Sequence, residues 1–328
     1  MPSARRPLRQ VNRLTLMHKL LRRPWALPQF AQVPYEAALP IVFMHIPKTS
    51  GMALGRGLSE ARAPTKTLTG FDGVLFGGFR DFDTIAPAIR RNIYLDPTAL
   101  PPDAGVVAAH MAISTTTRAY RQAQFVTVLR EPYSRILSHW LYWRTQSDDT
   151  LAAWGGWAQI LRHARLPLSE FLGCRDVACQ FDNLSVRMLL WPHRLIRDDD
   201  FLSPADDDML LREAIGQLQR FAYSDVVENP ALLSDLQKWL GRPFTYHRLN
   251  EAMRLPARFQ TSFHEELSSK ALDLLEARGR LDLKLWLALA RERVLYQQAE
   301  KLRERTLISN VARYGTLMPS DKYSCRPE

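Results

Sequence analysis

Short apolar runs alternate with longer amphipathic ones along most of the chain. Residues 40–46, Pro-Ile-Val-Phe-Met-His-Ile, are apolar and β-rich and predict a buried strand. Residues 47–51 break it, and 52–61 predict a helix. Residues 62–104 are rich in Gly, Pro and Asp and read as irregular, with one short strand at 92–95. A second strand over 105–109 ends at His110, followed by a short helix over 114–121 with Ser114 as its cap. A third strand, 124–130, runs into Glu131-Pro132, where proline suits the first helical position, and that helix continues to about residue 144. A Trp-rich helical stretch and a helix over 182–190 follow. Residues 221–227 predict another strand, and 229–240 a helix stopped by Gly241-Arg242-Pro243. Residues 263 to about 305 are helical in pattern, with a break near Gly279. Strands alternating with helices predict an α/β fold, a mostly parallel central sheet flanked by helices.

Composition narrows this picture. Of 328 residues, 24% are charged and 46% apolar, a balance that excludes a collagenous, low-complexity or wholly disordered chain. No run of 18 apolar residues occurs, so no transmembrane helix is expected. Three cysteines do not make a disulfide framework and suit a reducing compartment; the spacing of Cys174 and Cys179 allows a bridge without requiring one. The net charge is +10, and seven of those charges lie in residues 1–35 (Arg5, Arg6, Arg9, Arg13, Lys19, Arg22, Arg23), leaving +3 on the other 293 residues. Val11, Leu14, Met17 and Leu21 recur there at helical spacing, which fits a basic amphipathic helix on an anionic membrane or a tail that is solvated or docked on the body.

Two segments carry candidate chemistry. The first is the strand–loop–helix at 41–58. A loop between a strand end and a helix N-terminus offers backbone N–H groups to an anion, and Lys48, Thr49, Ser50 and Gly51 add a cation, two hydroxyls and a flexible backbone. The Gly-x-x-x-x-Gly-Lys-Ser/Thr spacing of nucleotide-binding phosphate loops is absent. The second is Leu129-Arg130-Glu131-Pro132 through Arg135 and Ser138, where Arg130 closes a strand and can fork onto a phosphate. The bland alternatives are a plain strand–turn–helix corner and an Arg130–Glu131 surface pair.

Together these segments resemble the PAPS-dependent sulfotransferases, specifically the Golgi-type carbohydrate family of the heparan sulfate 2-O and 6-O enzymes and their bacterial relatives. His45-Ile46-Pro47-Lys48-Thr49-Ser50-Gly51 looks like that family's 5′-phosphosulfate loop, and the Arg130 to Ser138 segment like its 3′-phosphate motif. Weaker likenesses follow at 183–189, 221–228 and 281–293, in the family's order. Ser50 stands where the family loop usually has its first glycine, and Met52 and Ala53 stand where it has hydroxyl residues. The resemblance implies a phosphate-loop-NTPase-like sulfotransferase fold over residues 36–310, between a basic extension (1–35) and a C-terminal tail (311–328). It implies transfer of a sulfuryl group from PAPS to a hydroxyl of a carbohydrate or glycolipid, releasing PAP, with Pro47, Lys48, Thr49, Ser50, Gly51, Arg130 and Ser138 on the donor.

Lys48 is then the candidate to stabilise charge on the leaving phosphate, and His110, at a strand end between the two motifs, the candidate base. His45 reads as structural, His139 as packing, and Arg187 as either a ligand contact or a surface charge. Arg56, Arg118 and Arg121 are isolated arginines within reach of an acidic saccharide or simply solvated. No His, Cys and carboxylate cluster spells a metal site, and none is expected. The competing readings are a phosphate-loop kinase and a non-catalytic binder of anionic glycan. No aromatic-interleaved basic patch supports nucleic acid. The expected location is the cytoplasm, peripheral to the inner membrane through residues 1–35.

Overall fold

The computed structural model describes residues 28–247, 259, 261–294 and 296–318. They form seven strands: β1 (Ile41–Met44), β2 (Thr67–Leu68), β3 (Phe71–Asp72), β4 (Ile93–Tyr94), β5 (Val106–Ala109), β6 (Gln124–Leu129) and β7 (Tyr223–Val226). The principal helices are α1 (Gly51–Arg62), α2 (Ile113–Ala119), α3 (Pro132–Arg144), α4 (Leu184–Leu190), α5 (Asp207–Leu218), α6 (Leu232–Leu240), α7 (Ser269–Arg293) and α8 (Tyr296–Leu317). Five strands make one parallel sheet in the order β2-β5-β1-β6-β7, and β3 and β4 pair separately. The α/β expectation with a parallel sheet flanked by helices holds.

The strands are short and apolar because both sheet faces are covered. Along β1, Ile41 and Phe43 face α1 and α6, through Leu54, Leu58, Leu232 and Leu236, while Val42 and Met44 pack into clusters on the opposite face. Register fixes the site: Met44 lies opposite Ala109 on one side and Thr127 on the other. The ends of β1, β5 and β6 therefore meet at one edge. The chain leaves β1 toward β5 in one direction and β6 in the other, so a crevice opens at this switch point.

Several local expectations are corrected. Helix α2 begins one residue before Ser114, which does not cap it; the Ser114 hydroxyl bonds the Trp191 carbonyl instead. Region 62–104 holds three short strands, because Asp72 binds the amides of Val74, Leu75 and Ala112 and the Thr115 hydroxyl. Helix α7 runs unbroken through Gly279, since a β-carbon there would lie 2.9 Å from the Tyr133 ring and glycine lets α3 approach. Helix α8 continues across residue 310 to Leu317, with Tyr314 buried. The amphipathic pattern of Val11 to Leu21 lies outside the described residues, whereas Phe30 is buried and bonds Glu292 and Arg293 through its backbone. Among the described residues no helix is long and apolar enough to cross a membrane. Cys174 and Cys179 are both free thiols.

Arg187 is neither a surface charge nor a ligand contact. It is 1% exposed, pairs with Asp182 at 2.9 Å, and donates to the carbonyls of Asp182, Arg197 and Asp200. Removing one partner of a buried pair leaves the other charge stranded. Arg187→Ala is expected to destabilise the protein by about 3–5 kcal/mol, measured as a lower urea midpoint at unchanged slope. Destabilisation below about 1 kcal/mol would refute the structural role.

Candidate functional site

Six residues separate β1 from α1. Lys48 (φ 68°) and Ser50 (φ 60°) are left-handed, whereas Thr49 between them is not. Alternating hand turns successive N–H groups toward one concave side, a nest suited to an anion. Among the described residues no protein acceptor meets the amides of residues 48–53, and the next amide, that of Leu54, bonds the Ser50 carbonyl at 3.1 Å. No acidic residue sits in the first turn of α1, and the Ser50 side chain makes no cap bond. The positive end of the helix dipole is thus left open to a ligand.

This backbone is strained, since each left-handed non-glycine residue costs about 1–2 kcal/mol. Three contacts hold it. Thr49, fully buried, donates its hydroxyl to the Ile46 carbonyl at 2.9 Å. Arg130, at the end of β6, donates Nη1 to the Lys48 carbonyl at 2.9 Å. The His45 ring lies so close to Gly51 that a β-carbon there would fall 1.8 Å from Cδ2. The Thr49 hydroxyl is therefore spent inside the loop, and ligand contact falls to the amides, Lys48 and Ser50.

Lys48 sends Nζ over the Tyr142 ring, 4.1 Å from its centroid. Burial, and after it the guanidiniums of Arg130 and Arg313, pull its ammonium from 10.5 down to about 8. Arg130 also contacts Asn310 and Tyr314 of α8, each at 3.4 Å. With its bond to Lys48, that leaves at least two of its five N–H groups without an acceptor among the described residues. Lys48, Arg130 and Arg313 gather at one loop, and among the described residues none is ion-paired to a carboxylate. Glu131 does not pair with Arg130; it is buried and caps α3 through the Ser134 amide. Nothing local in the sequence marks Arg313, because it lies on α8, in a largely polar stretch that reads as a tail.

His110 completes the group. Its Nδ1 lies 2.7 Å from the His45 carbonyl, and a carbonyl only accepts, so Nδ1 carries the proton and Nε2 the lone pair. Burial lowers its imidazole to about 4, against the opposing pull of that bond. His45, whose ring centroid is 4.0 Å away, and His139 are held by burial well below the ordinary imidazole range. Pro47, Lys48, Ser50, Gly51, His110 and His139 all line one cavity of about 320 Å³.

Other candidates lie elsewhere. Ser138 is buried on α3 and is not part of the cavity lining. Arg118 and Arg121 line a separate cleft beside Trp191, and Arg56, paired with Glu60 at 2.9 Å, lines an adjoining cavity that shares His110 with the first. His163, Cys174 and Asp176 each bring one potential metal-ligand atom within 4.8 Å of the others, a grouping hidden by their sequence separation. It lies apart from the cavity.

No protein-family model matches this chain, and no curated protein matches it. What the arrangement can do is read from its chemistry: bind a multiply charged anion at the nest, and accept a proton at Nε2 of His110.

Ser50 occupies a backbone conformation that glycine adopts without steric cost. Ser50→Gly is expected to raise stability by about 0.5–1 kcal/mol, the steric relief less glycine's greater chain entropy. Calorimetric melting would show a rise of about 1–2 °C; a fall would mean that the serine side chain holds the loop.

Proposed function

We propose that this protein is a sulfotransferase, moving a sulfuryl group from PAPS to an acceptor hydroxyl and releasing PAP, on a phosphate-loop-NTPase-like sulfotransferase scaffold. One observation carries the reading. The nest at Lys48 to Gly51 and Nε2 of His110 stand on adjacent strand ends and border one cavity, and Arg130, outside its lining, braces the nest from the third strand end, so an anion site and a base lie side by side.

PAPS would supply an electrophilic sulfur and a phosphate leaving group. The loop amides and Arg130 bind phosphate oxygens. Lys48, as an ammonium, stabilises the negative charge that develops on the leaving oxygen. His110 accepts the acceptor's hydroxyl proton at Nε2, while its Nδ1–H bond to the His45 carbonyl fixes the ring. His45, neutral and stacked on Phe43 at 5.8 Å, positions that carbonyl. The reading puts the enzyme in the cytoplasm, with the cations of residues 1–35 drawing it to an anionic membrane surface.

PAP is expected to raise the melting temperature, and ATP with magnesium to leave it unchanged; the reverse result would favour a kinase. Radiolabelled transfer from PAPS should fall about 100-fold or more in Lys48→Ala and in His110→Ala. The pH profile of kcat/KM follows from the two groups that must keep their states. It should be flat between about 4 and about 8, falling below as Nε2 of His110 gains a proton and above as Lys48 loses one. Lys48→Arg should abolish the alkaline fall, and its persistence would exclude Lys48 as the titrating cation.

A further inference from the structure

The wall of the cavity beyond His110 is aromatic. The His110 ring stacks on Phe71 at 5.2 Å, and Phe71 meets Trp154 edge-on at 5.9 Å. Trp154 lies 6.2 Å from Phe79 and 5.2 Å from Trp157, and Trp157 lies 6.1 Å from Trp143. Every one of these pairs is within the range of favourable ring contact, so an unbroken aromatic path leads away from Nε2 of His110.

The path is built with some force. Gly77, Gly78 and Phe79 are all left-handed, with φ of 73°, 68° and 48°, and the result is a buried Phe79 ring in the cavity wall. The turn bearing Trp154 and Trp157 is tied down where the Gly156 amide donates to the Thr84 hydroxyl at 2.8 Å. Among the described residues the lining contains no carboxylate and one group charged at neutral pH, Lys48; its other polar groups are Ser50, Gln146, Gln180, the histidines, the Tyr142 hydroxyl and the indole N–H groups of Trp143, Trp154 and Trp157. An acidic saccharide would strip water from its charges against a wall of ring faces whose few N–H and O–H groups and one lysine do not match a chain of carboxylates. A planar apolar group loses nothing of the kind and gains ring contact. A second cavity, of about 520 Å³, shares Phe71 and His110 with the first and is lined by Arg56, Thr69 and Asn92.

We propose that this chamber takes the acceptor, and that the acceptor is an uncharged, ring-bearing alcohol or phenol. Its rings lie against Phe79, Trp154 and Trp157, its hydroxyl meets Nε2 of His110, and any polar substituent extends into the second cavity. Its role as acceptor rests on the sulfuryl-transfer reading above; its binding does not. In the transfer, the acceptor oxygen forms the new O–S bond as the bond from sulfur to the donor's phosphate oxygen breaks. The hydroxyl proton passes to Nε2 of His110, and the bonding pair stays on the phosphate.

The test is calorimetric titration of the full chain with 2-naphthol, without donor, beside a melting assay with PAP. Saturable one-site binding is expected. Trp154→Ala, which truncates a partly exposed ring, should weaken it about tenfold or more. Gln146→Trp, which adds bulk to the lining and removes no core ring, should weaken it at least as much. His110→Ala, which removes the hydroxyl's partner, should weaken binding by about two- to tenfold and abolish transfer. Absence of saturable heat, indifference to both lining variants, or displacement of 2-naphthol by a desulfated heparan oligosaccharide would each overturn the proposal. Naphthol binding without a PAP shift supports the ligand class and sinks the donor reading. A PAP shift without naphthol binding does the opposite.

Discussion

The hydrogen bond from Arg130 to the Lys48 carbonyl is the interaction on which the site depends. A loop with two left-handed non-glycine residues does not hold itself, because each relaxes toward ordinary backbone at a gain of about 1–2 kcal/mol. Arg130 reaches the carbonyl because β6 lies beside β1 in parallel register, with Met44 opposite Thr127. The same guanidinium touches Asn310 and Tyr314, so the loop, the sheet edge and α8 are fastened at one point. Strand order thus comes before chemistry: without β6 next to β1, the amides of residues 48–53 would have no reason to stay aligned.

The other neighbour of β1 sets the protonation state of the base. Register places Ala109 opposite Met44, so His45 and His110 emerge side by side. His110 bonds a carbonyl, where a carboxylate would have favoured the imidazolium. Burial in an aromatic cavity outweighs the weaker pull of that bond toward the imidazolium. The result is a neutral ring of fixed tautomer close to a cluster of cations, the polarity needed where one group accepts a proton and others bind anionic charge.

Farther back, buried charges hold the helical layer together. Asp282 of α7 accepts from the Ser185 and Val186 amides and the Ser185 hydroxyl, capping α4 from another helix. Asn183 returns a carbonyl to the Leu281 amide at 2.7 Å. Asp182 serves Arg187, Arg278 and the Leu202 amide. Asp182 and Asn183 follow Gln180 closely in the chain, and so this network fixes one wall of the cavity without lining it.

The sequence by itself determined the sheet, the loop and the candidate residues at its edge. Each rests on short-range signals: an apolar run too short for a helix, a Pro-Lys-Thr-Ser-Gly break, a histidine or arginine at a strand's last position. It also carries the likeness to the sulfotransferase motifs at residues 45–51 and 130–138. Only the tertiary structure decided the rest, because the rest is made by partners far apart in the chain. Arg187 reads in the sequence as a ligand contact or a surface charge and is neither, because Asp182 and three backbone carbonyls close around it. Arg313 lay in an apparent tail because α8 is largely polar and docks through a few residues such as Tyr314. Phe71 and Phe79 sit in a segment that reads as irregular and Trp154 and Trp157 in a Trp-rich helical stretch, and no local pattern says that rings on separate turns will converge on His110. Periodicity reports which side of an element is buried; it carries no information about which buried sides meet.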